Sequence, residues 1–328
     1  MFVFDVDNSG IDSDSFYASL INSSTHKPHL RKIHARLFVL GLQFSGFLIT
    51  KLIHASSAFG DICFTRKVFY ELPRPQIFPW NAIITGYSRN NLFRDVLLMY
   101  SKMQLARVSP DSFTFPHLLK ACSGLSYLQM GRLVHAQVFR LGFEGDGFVQ
   151  NGLIALYAKC RRMGSARAVF EGLPMFKRTV VSWTAIVSAY AQNCEPVEAL
   201  EIFSQMRKMD VKPDWIALVS VLNALTCLQD LEQGKAFHAS VVKMGLETEP
   251  DMHISLNTMY AKCGQVETAK ILFGKMKSPN LILWNAMISG YAKNGNAKDA
   301  IDMFHEMINK RVEPDTISIT SLLICFMR

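Results

Sequence analysis

Residue types that could perform catalysis or hold a metal occur in this chain, but their spacing does not form a catalytic motif. His305-Glu306 begins like the helical zinc-protease motif, yet no second histidine follows at helical spacing. The glycines between 142 and 152 do not form a phosphate-binding loop, and no Gly-x-x-x-x-Gly-Lys sequence occurs. Zinc-dependent deamination would need a His-x-Glu segment and a Cys-x-x-Cys pair, and the chain has neither. We therefore expect no enzyme, with no catalytic residue, no metal and no cofactor.

The composition describes a basic protein with reduced thiols. The 328 residues include 35 Lys+Arg and 27 Asp+Glu, which gives a formal net charge of +8. Four aspartates and no Lys or Arg precede Lys27, so the rest of the chain carries +12. Such a body suits a polyanion, although excess charge also keeps proteins in solution. The seven cysteines are well separated, and we expect them to be reduced and mostly buried.

Several sequence markers recur in one order at a spacing of about 102 residues. The tetrad Tyr-Ala-Lys-Cys at 157–160 returns unchanged at 260–263. Three further markers keep the same register: Pro110-Asp111, Pro213-Asp214 and Pro314-Asp315; Trp80, Trp183 and Trp284; His34, His135 and His238. Self-similarity of this kind indicates a repeat architecture and replaces any division into two ordinary globular domains.

Each long unit divides into segments of 31 to 35 residues, and each segment has the pattern of two short helices. In the segment 180–214, a first apolar run ends at Gln192-Asn193, and Pro196 then stands where the first turn of a helix tolerates proline. Phe203 and Met206 lie on one face of the second helix. A helical pair of this size cannot bury its apolar face alone, so we expect neighbouring pairs to stack into an all-α solenoid.

The recurring aromatic and histidine residues are interpreted as packing residues of these helices. They are Phe69, Phe170, Phe273, Tyr157, Tyr260, the three tryptophans and the three histidines of the repeat.

A helical pair of about 35 residues that ends in Pro-Asp and starts with a phrase such as 284–291 (Trp-Asn-Ala-Met-Ile-Ser-Gly-Tyr) resembles the pentatricopeptide repeat. The alternation of segment lengths resembles the plant subclass in which P, L and S repeats follow one another. Tetratricopeptide repeats, which bind peptides, are excluded because their Trp-x-x-Leu-Gly-x-x-Tyr pattern is absent. The resemblance implies a right-handed solenoid.

The resemblance divides the chain into an acidic leader, nine repeats and part of a tenth. Residues 1–13 form the leader, which we expect to be disordered. The repeats are 14–45 (a degenerate L), 46–76 (S), 77–111 (P), 112–146 (L), 147–179 (S), 180–214 (P), 215–249 (L), 250–280 (S) and 281–315 (P). Residues 316–328 begin another L repeat, so the chain resembles an editing factor truncated before the E and DYW domains that end many such proteins.

The resemblance also implies which side chains contact RNA, namely the fifth and the last residue of each repeat. In the P repeats these are Asn81 with Asp111, Thr184 with Asp214, and Asn285 with Asp315. By the family's pattern the first and third pairs favour uracil and the middle pair favours guanine. The other repeats offer Thr50 with Gln76, Pro116 with Asp146, Asn151 with Thr179, Val219 with Glu249, and Ile254 with Asn280. Alternatively, Asn or Thr near a helix start caps the helix, and Pro-Asp only terminates it.

The implied function is sequence-specific binding of single-stranded RNA, one base per repeat, in organelle RNA processing such as cytidine-to-uridine editing. The implied partners are single-stranded organellar RNA and a separate deaminase or other editing-complex protein, with no membrane insertion. The alternatives are a protein-interaction scaffold that does not bind RNA and an incomplete gene product. A mitochondrial location is expected, with the chloroplast as the alternative, although residues 1–26 lack the arginines of a transit signal.

Overall fold

A computed structural model describes residues 13–246 and 249–326, and every regular element in those ranges is helical. In chain order the α-helices are α1 (Ser13–Asn22), α2 (Lys27–Val39), α3 (Gly46–Ala58), α4 (Ile62–Tyr70), α5 (Ile77–Arg89), α6 (Phe93–Leu105), α7 (Thr114–Gly124), α8 (Leu128–Arg140), α9 (Gly147–Lys159), α10 (Met163–Gly172), α11 (Val180–Gln192), α12 (Pro196–Lys208), α13 (Trp215–Leu228), α14 (Leu231–Lys243), α15 (Pro250–Lys262), α16 (Val266–Gly274), α17 (Leu281–Lys293), α18 (Ala297–Asn309) and α19 (Thr316–Phe326). A short 3-10 turn, Met175–Lys177, precedes α11. The predicted all-α class is confirmed. The predicted leader, apart from Ser13, lies outside the described residues.

The odd-numbered helices are the first helices of the pairs, and the even-numbered helices are the second. The chain divides into two compact units, Met1–Val169 and Phe170–Arg328. Within the first unit the first helices pack side by side from α1 to α9, and within the second unit they do so from α11 to α19. Most second helices pack between the first helix of their own pair and the next first helix. Each unit is thus a stack of helical pairs, as expected of a solenoid.

Side-chain caps fix where many of the first helices begin. Ser45, Asp146, Thr179, Asp214 and Asn280 each precede a first helix and accept a backbone N–H of its first turn. Such caps satisfy donors that have no partner inside the helix. The last residue of a repeat therefore has a structural role before any role in binding is considered.

A repeated aromatic contact joins α4 to α5, α10 to α11 and α16 to α17. Phe69 meets Trp80, Phe170 meets Trp183 and Phe273 meets Trp284, edge to face, with ring centroids 4.7–4.8 Å apart. All six rings are buried. Edge-to-face pairs add to the stabilisation from burial, so these residues hold consecutive pairs together.

Close packing of neighbouring first helices depends on small residues. A Cβ at Gly86 would lie 2.7 Å from the Cβ of Ser57, and a Cβ at Gly290 would lie 2.9 Å from the Cβ of Ala261. Those distances are too short for two carbon atoms, so any larger residue would push the helices apart.

The recurring histidines lie on the second helices α2, α8 and α14 and contact the next helical pair. His135 and His238 hydrogen-bond the hydroxyls of Tyr157 and Tyr260 at 2.7 and 2.9 Å. His34 lies 2.6 Å from a carboxylate oxygen of Glu71. These contacts explain the recurrence through packing rather than through metal binding.

The expectation that the cysteines are mostly buried is wrong. Cys122 is buried, but Cys63, Cys194 and Cys227 are exposed, and the other three are half-buried. The reason is positional, because several of them lie where a first helix ends and the chain turns through solvent; Cys194, for example, lies in such a turn with φ +61°. None of the described helices combines the length and apolar composition needed to cross a membrane.

Candidate nucleic-acid interface

In all three P repeats the structure brings the fifth and last residues into direct contact. Asn81 Nδ2 donates to both carboxylate oxygens of Asp111 at 3.0 Å. Thr184 Oγ1 donates to Asp214 Oδ1 at 2.9 Å, and Asn285 Nδ2 donates to Asp315 Oδ1 at 3.0 Å. Residues 30 positions apart therefore meet at the start of the next first helix, in the same way three times.

Each of these carboxylates also caps the helix that follows, and the two roles fall largely on one oxygen. Oδ1 of Asp111 accepts the backbone N–H groups of Phe113 and Thr114. Oδ1 of Asp214 accepts from the backbone of Ala217. In Asp214 the described hydrogen bonds leave Oδ2 unused, and a carboxylate oxygen can accept two. Capping and ligand binding are therefore compatible in one side chain.

The same arrangement holds Asp315 in its ionised form. Hydrogen bonds from the backbone of Ser318, from Asn285 and from the backbone of Ile317 lower the pKa of its carboxyl below the ordinary value. Because these donors favour the charged form, Asp315 presents an acceptor at neutral pH.

A third residue, which the sequence reasoning did not identify, completes two of the pairs. Thr114 Oγ1 donates to Asn81 Oδ1 at 2.6 Å, and Ser318 Oγ donates to Asn285 Oδ1 at 2.6 Å. Each hydroxyl also lies 2.9–3.0 Å from Oδ1 of the aspartate, so its single proton is shared between the amide oxygen and the carboxylate, and the amide NH2 faces the carboxylate. Ala217 occupies the equivalent position beside Thr184, which needs no such orientation. In the sequence, this third residue could have been recognised as a serine or threonine at the third position of the next repeat.

The remaining predicted pairs do not form such contacts. Pro116 with Asp146, Val219 with Glu249, and Ile254 with Asn280 each include a residue without a polar side-chain atom. Asp146 and Asn280 cap α9 and α17, whereas Glu249 is exposed and makes no capping bond.

Two predicted pairs consist of polar residues that face other partners. Thr50 Oγ1 donates to the carbonyl of Gly46 in its own helix at 2.6 Å. Asn151 lies on α9 with its Oδ1 buried and without a hydrogen bond, and Thr179 caps α11.

An exposed apolar side chain lies at the second position of nearly every repeat. These residues are Phe47, Phe78, Phe113, Phe148, Val181, Ile216, Ile282 and Ile317. Phe78 is 70% exposed and Phe148 is 80% exposed. On a helix this position lies one turn before the fifth residue and beside it. Two repeats depart from the pattern, 14–45 with Ser15 and 250–280 with Asp251.

The first helices carry few charged residues, and nearly all of these are basic. The first helices from α3 onward carry Lys51, Arg89, Lys120, Lys159, Lys262 and Lys293. Among the described parts of those helices, Asp251 is the one acidic residue. Among the second helices, α12 and α18 carry both signs of charge, whereas α2, α4 and α8 carry basic residues and no acidic ones. The paired polar residues thus lie on a layer with a basic bias, which suits an anionic ligand.

Fold and site together define a helical-repeat protein in which single repeats present paired polar groups. A family model described as the PPR repeat family matches residues 75–124, 178–227 and 279–328, and a PPR repeat model matches 258–281. The chain belongs to the pentatricopeptide repeat family.

Relatives and solved structures agree with this assignment. The chain is 85% identical over 312 residues to the pentatricopeptide repeat-containing protein At3g12770 of Arabidopsis thaliana, across 95% of this chain and 45% of that protein. It is 33% identical to the chloroplastic protein CRR2 of Arabidopsis thaliana, across 95% of this chain and 48% of that one. The chain thus spans less than half the length of these relatives.

The fold resembles the crystal structure of the pentatricopeptide repeat protein PPR10 in complex with an 18-nt psaJ RNA element. The TM-score is 0.79 at 16% sequence identity, across 94% of this chain and 47% of PPR10. At that identity the likeness establishes the helical-repeat solenoid fold.

Proposed function

We propose that this chain binds single-stranded RNA in a sequence-dependent manner through its three P repeats. The observation that carries the proposal is the threefold recurrence of a hydrogen-bonded donor–carboxylate pair at one place in the repeat. Membership of the pentatricopeptide repeat family and the RNA complex of PPR10 support it.

Uracil fits the pairs Asn81–Asp111 and Asn285–Asp315. Its Watson–Crick edge offers an N3–H donor to the carboxylate and a carbonyl acceptor to the amide NH2. Cytosine would place its N3 acceptor against the carboxylate and its amino donor against the amide NH2. An amide flip would relieve only the clash between the two amino groups, because the N3 lone pair would still face the carboxylate, and it would remove the hydrogen bond from the asparagine to the aspartate.

Guanine fits the pair Thr184–Asp214. The base offers N1–H and an amino group to the carboxylate, and its O6 accepts from the threonine hydroxyl. A threonine side chain is shorter than an asparagine side chain, so it leaves more room for a purine. The Asn–Asp and Thr–Asp pairs therefore differ in the room that they leave for a base, while both present a donor beside a carboxylate.

Most of the affinity comes from contacts that do not read sequence. In each unit, bases stack against the exposed apolar residues at the second position of the repeats, and base–aromatic stacking contributes about 1–3 kcal/mol per base. The lysines and Arg89 of the first helices attract the phosphates, so binding weakens as salt rises.

Alanine substitution at both asparagines tests the proposal. The variant Asn81→Ala plus Asn285→Ala should bind RNA with uracil opposite repeats 77 and 281 at least tenfold more weakly, since each lost pair costs about 1–3 kcal/mol. Fluorescence anisotropy measures the Kd. Glu306→Ala on α18, an exposed second-helix residue, is the control and should bind as the wild type does.

A protein-interaction scaffold is the second candidate function. Exposed apolar residues at the ends of α2 and α8, Phe38 and Phe139, favour it because large exposed apolar groups mark contact surfaces. A scaffold predicts no RNA affinity and no response to the two asparagine substitutions.

We further propose that the RNA is organellar and that the chain acts in RNA processing such as cytidine-to-uridine editing, without catalysing it. Relatives named as chloroplastic or mitochondrial support an organellar location. We propose the mitochondrion, with the chloroplast as the alternative, and a separate deaminase or editing-complex protein as partner. Fluorescence of a fusion to the first 60 or so residues tests the location.

A further inference from the structure

A cluster of cationic and imidazole side chains spans three consecutive first helices of the first unit. It comprises Lys51 and His54 on α3, Arg89 on α5, and His117 and Lys120 on α7. Helix α5 packs against both α3 and α7. Ser88 links α5 to α7, because His117 Nδ1 lies 3.2 Å from Ser88 Oγ and Lys120 Nζ lies 3.5 Å from the Ser88 carbonyl oxygen.

No described carboxylate neutralises this cluster. Helices α3, α5, α7 and α9 carry no Asp or Glu, and α9 adds another cation, Lys159. Among the second helices packed against them, α2, α4 and α8 also lack acids. The two acids that border α4 have other partners, since Asp61 pairs with Arg31 at 2.7 Å and Glu71 lies 2.6 Å from His34. Asp95 on α6 pairs with Arg66 at 3.0 Å, and Asp14 on α1 accepts from Ser45.

Burial, together with the neighbouring positive charges, lowers the pKa of both imidazoles in the free protein. Burial, followed by the charges of Arg89, Lys120 and His54, lowers the pKa of His117 to about 4. Desolvation, followed by Arg89 and Lys51, lowers the pKa of His54. The cluster therefore has the groups for an anion site but only part of the charge.

We propose that His54, Arg89, His117 and Lys120 bind backbone phosphate of RNA and that the two imidazoles take up protons from solvent as it binds. The inference rests on the proposed RNA binding but involves none of its base-reading pairs. His54 and Lys120 lie one helical turn after Thr50 and Pro116, on the same face. RNA that lies along Thr50 and Pro116, whose pairs give little base preference, therefore brings its phosphates to the cluster.

Bound phosphate makes RNA affinity depend on pH. A negative charge beside an imidazole favours the imidazolium, so the pKa of each histidine is higher in the complex than in the free protein. Binding then consumes protons, and the Kd falls as pH falls. From about pH 8 to about pH 6 the affinity should rise roughly three- to tenfold, since a fully coupled proton gives at most tenfold per pH unit.

The test compares three proteins with one RNA. The probe is a short single-stranded RNA with uracil, guanine and uracil opposite repeats 77, 180 and 281. The wild type, His54→Gln plus His117→Gln, and the control His305→Gln are titrated at constant ionic strength across this pH range. His305 is exposed on α18, far along the chain from the cluster. Because glutamine at 117 could disturb packing, NMR titration of the wild-type imidazole signals with and without RNA is a second readout.

We expect the Kd of the wild type and of H305Q to fall as the pH falls. The Kd of the double variant should depend less on pH. RNA should raise the pKa values of His54 and His117 in the NMR titration. RNA binding with one pH profile in all three proteins and unshifted imidazoles would overturn the phosphate site but leave the proposed function intact. Absence of RNA binding at every pH would overturn both.

Discussion

At the scale of single residues, the three aspartates that end the repeats 77–111, 180–214 and 281–315 combine two roles. From the sequence alone, capping the next helix and pairing with the fifth residue are alternative interpretations of the same side chain. A Pro-Asp pair at a repeat boundary resembles a helix stop signal, and Asp111, Asp214 and Asp315 do cap helices. The same side chains also hold the donor from the preceding first helix. Sequence spacing could align the two partners, but it could not show their contact, which depends on how the helices stack.

The difference in size between the two pair types predicts a change in base preference. Asn81→Thr reproduces the Thr184–Asp214 pair at the first P repeat. We expect the preference opposite repeat 77 to move from uracil towards guanine, with a change in relative affinity of about tenfold for about 1.4 kcal/mol. Competition binding with RNAs that differ at this base measures it. The preferences opposite repeats 180 and 281 serve as internal controls and should not change.

At the scale of helices, the pattern of apolar residues correctly predicted the helical pairs. Periodicity and Pro196 predicted helical pairs, and α12 begins at that proline. Cysteine exposure was predicted wrongly, since residue type says little about a position where a helix ends. Thr114 and Ser318 were missed because their role appears only when the P repeat and the following L repeat are considered together.

The half-buried imidazole on α7 predicts that the stability of the first unit rises with pH. The pKa of His117 is about 4 in the folded protein, against 6.5 ordinarily. Between these values the unfolded chain binds a proton that the folded chain does not, so acidification favours unfolding. Allowing for solvent access, the loss from about pH 7 to pH 5 should be roughly 1–2 kcal/mol.

Urea unfolding followed by circular dichroism measures this loss. His117→Gln keeps a hydrogen-bonding side chain but does not titrate, so it should lose less stability than the wild type over the same range. Equal losses in the two proteins would show that His117 is not the group responsible.

At the scale of the whole molecule, the repeat explains both the charge and the apolar content. Within each unit the exposed apolar residue and the fifth residue recur once per repeat along the stacked first helices, as Phe47, Phe78, Phe113 and Phe148 in the first unit and Val181, Ile216, Ile282 and Ile317 in the second. The fold could be predicted because many markers recur in register. The ligand preference of the L and S repeats could not, because their pairs lack a matched donor and carboxylate.

The most direct test is the affinity for RNA carrying U-N-N-G-N-N-U, where N is any base, compared with a scrambled RNA of the same composition. One base per repeat places the three read bases three nucleotides apart, and this pattern is the same in either direction. At moderate salt we expect at least a hundredfold difference in Kd, since three mismatches cost about 1–3 kcal/mol each. Equal affinity for the two RNAs would contradict sequence-dependent binding by the three P repeats.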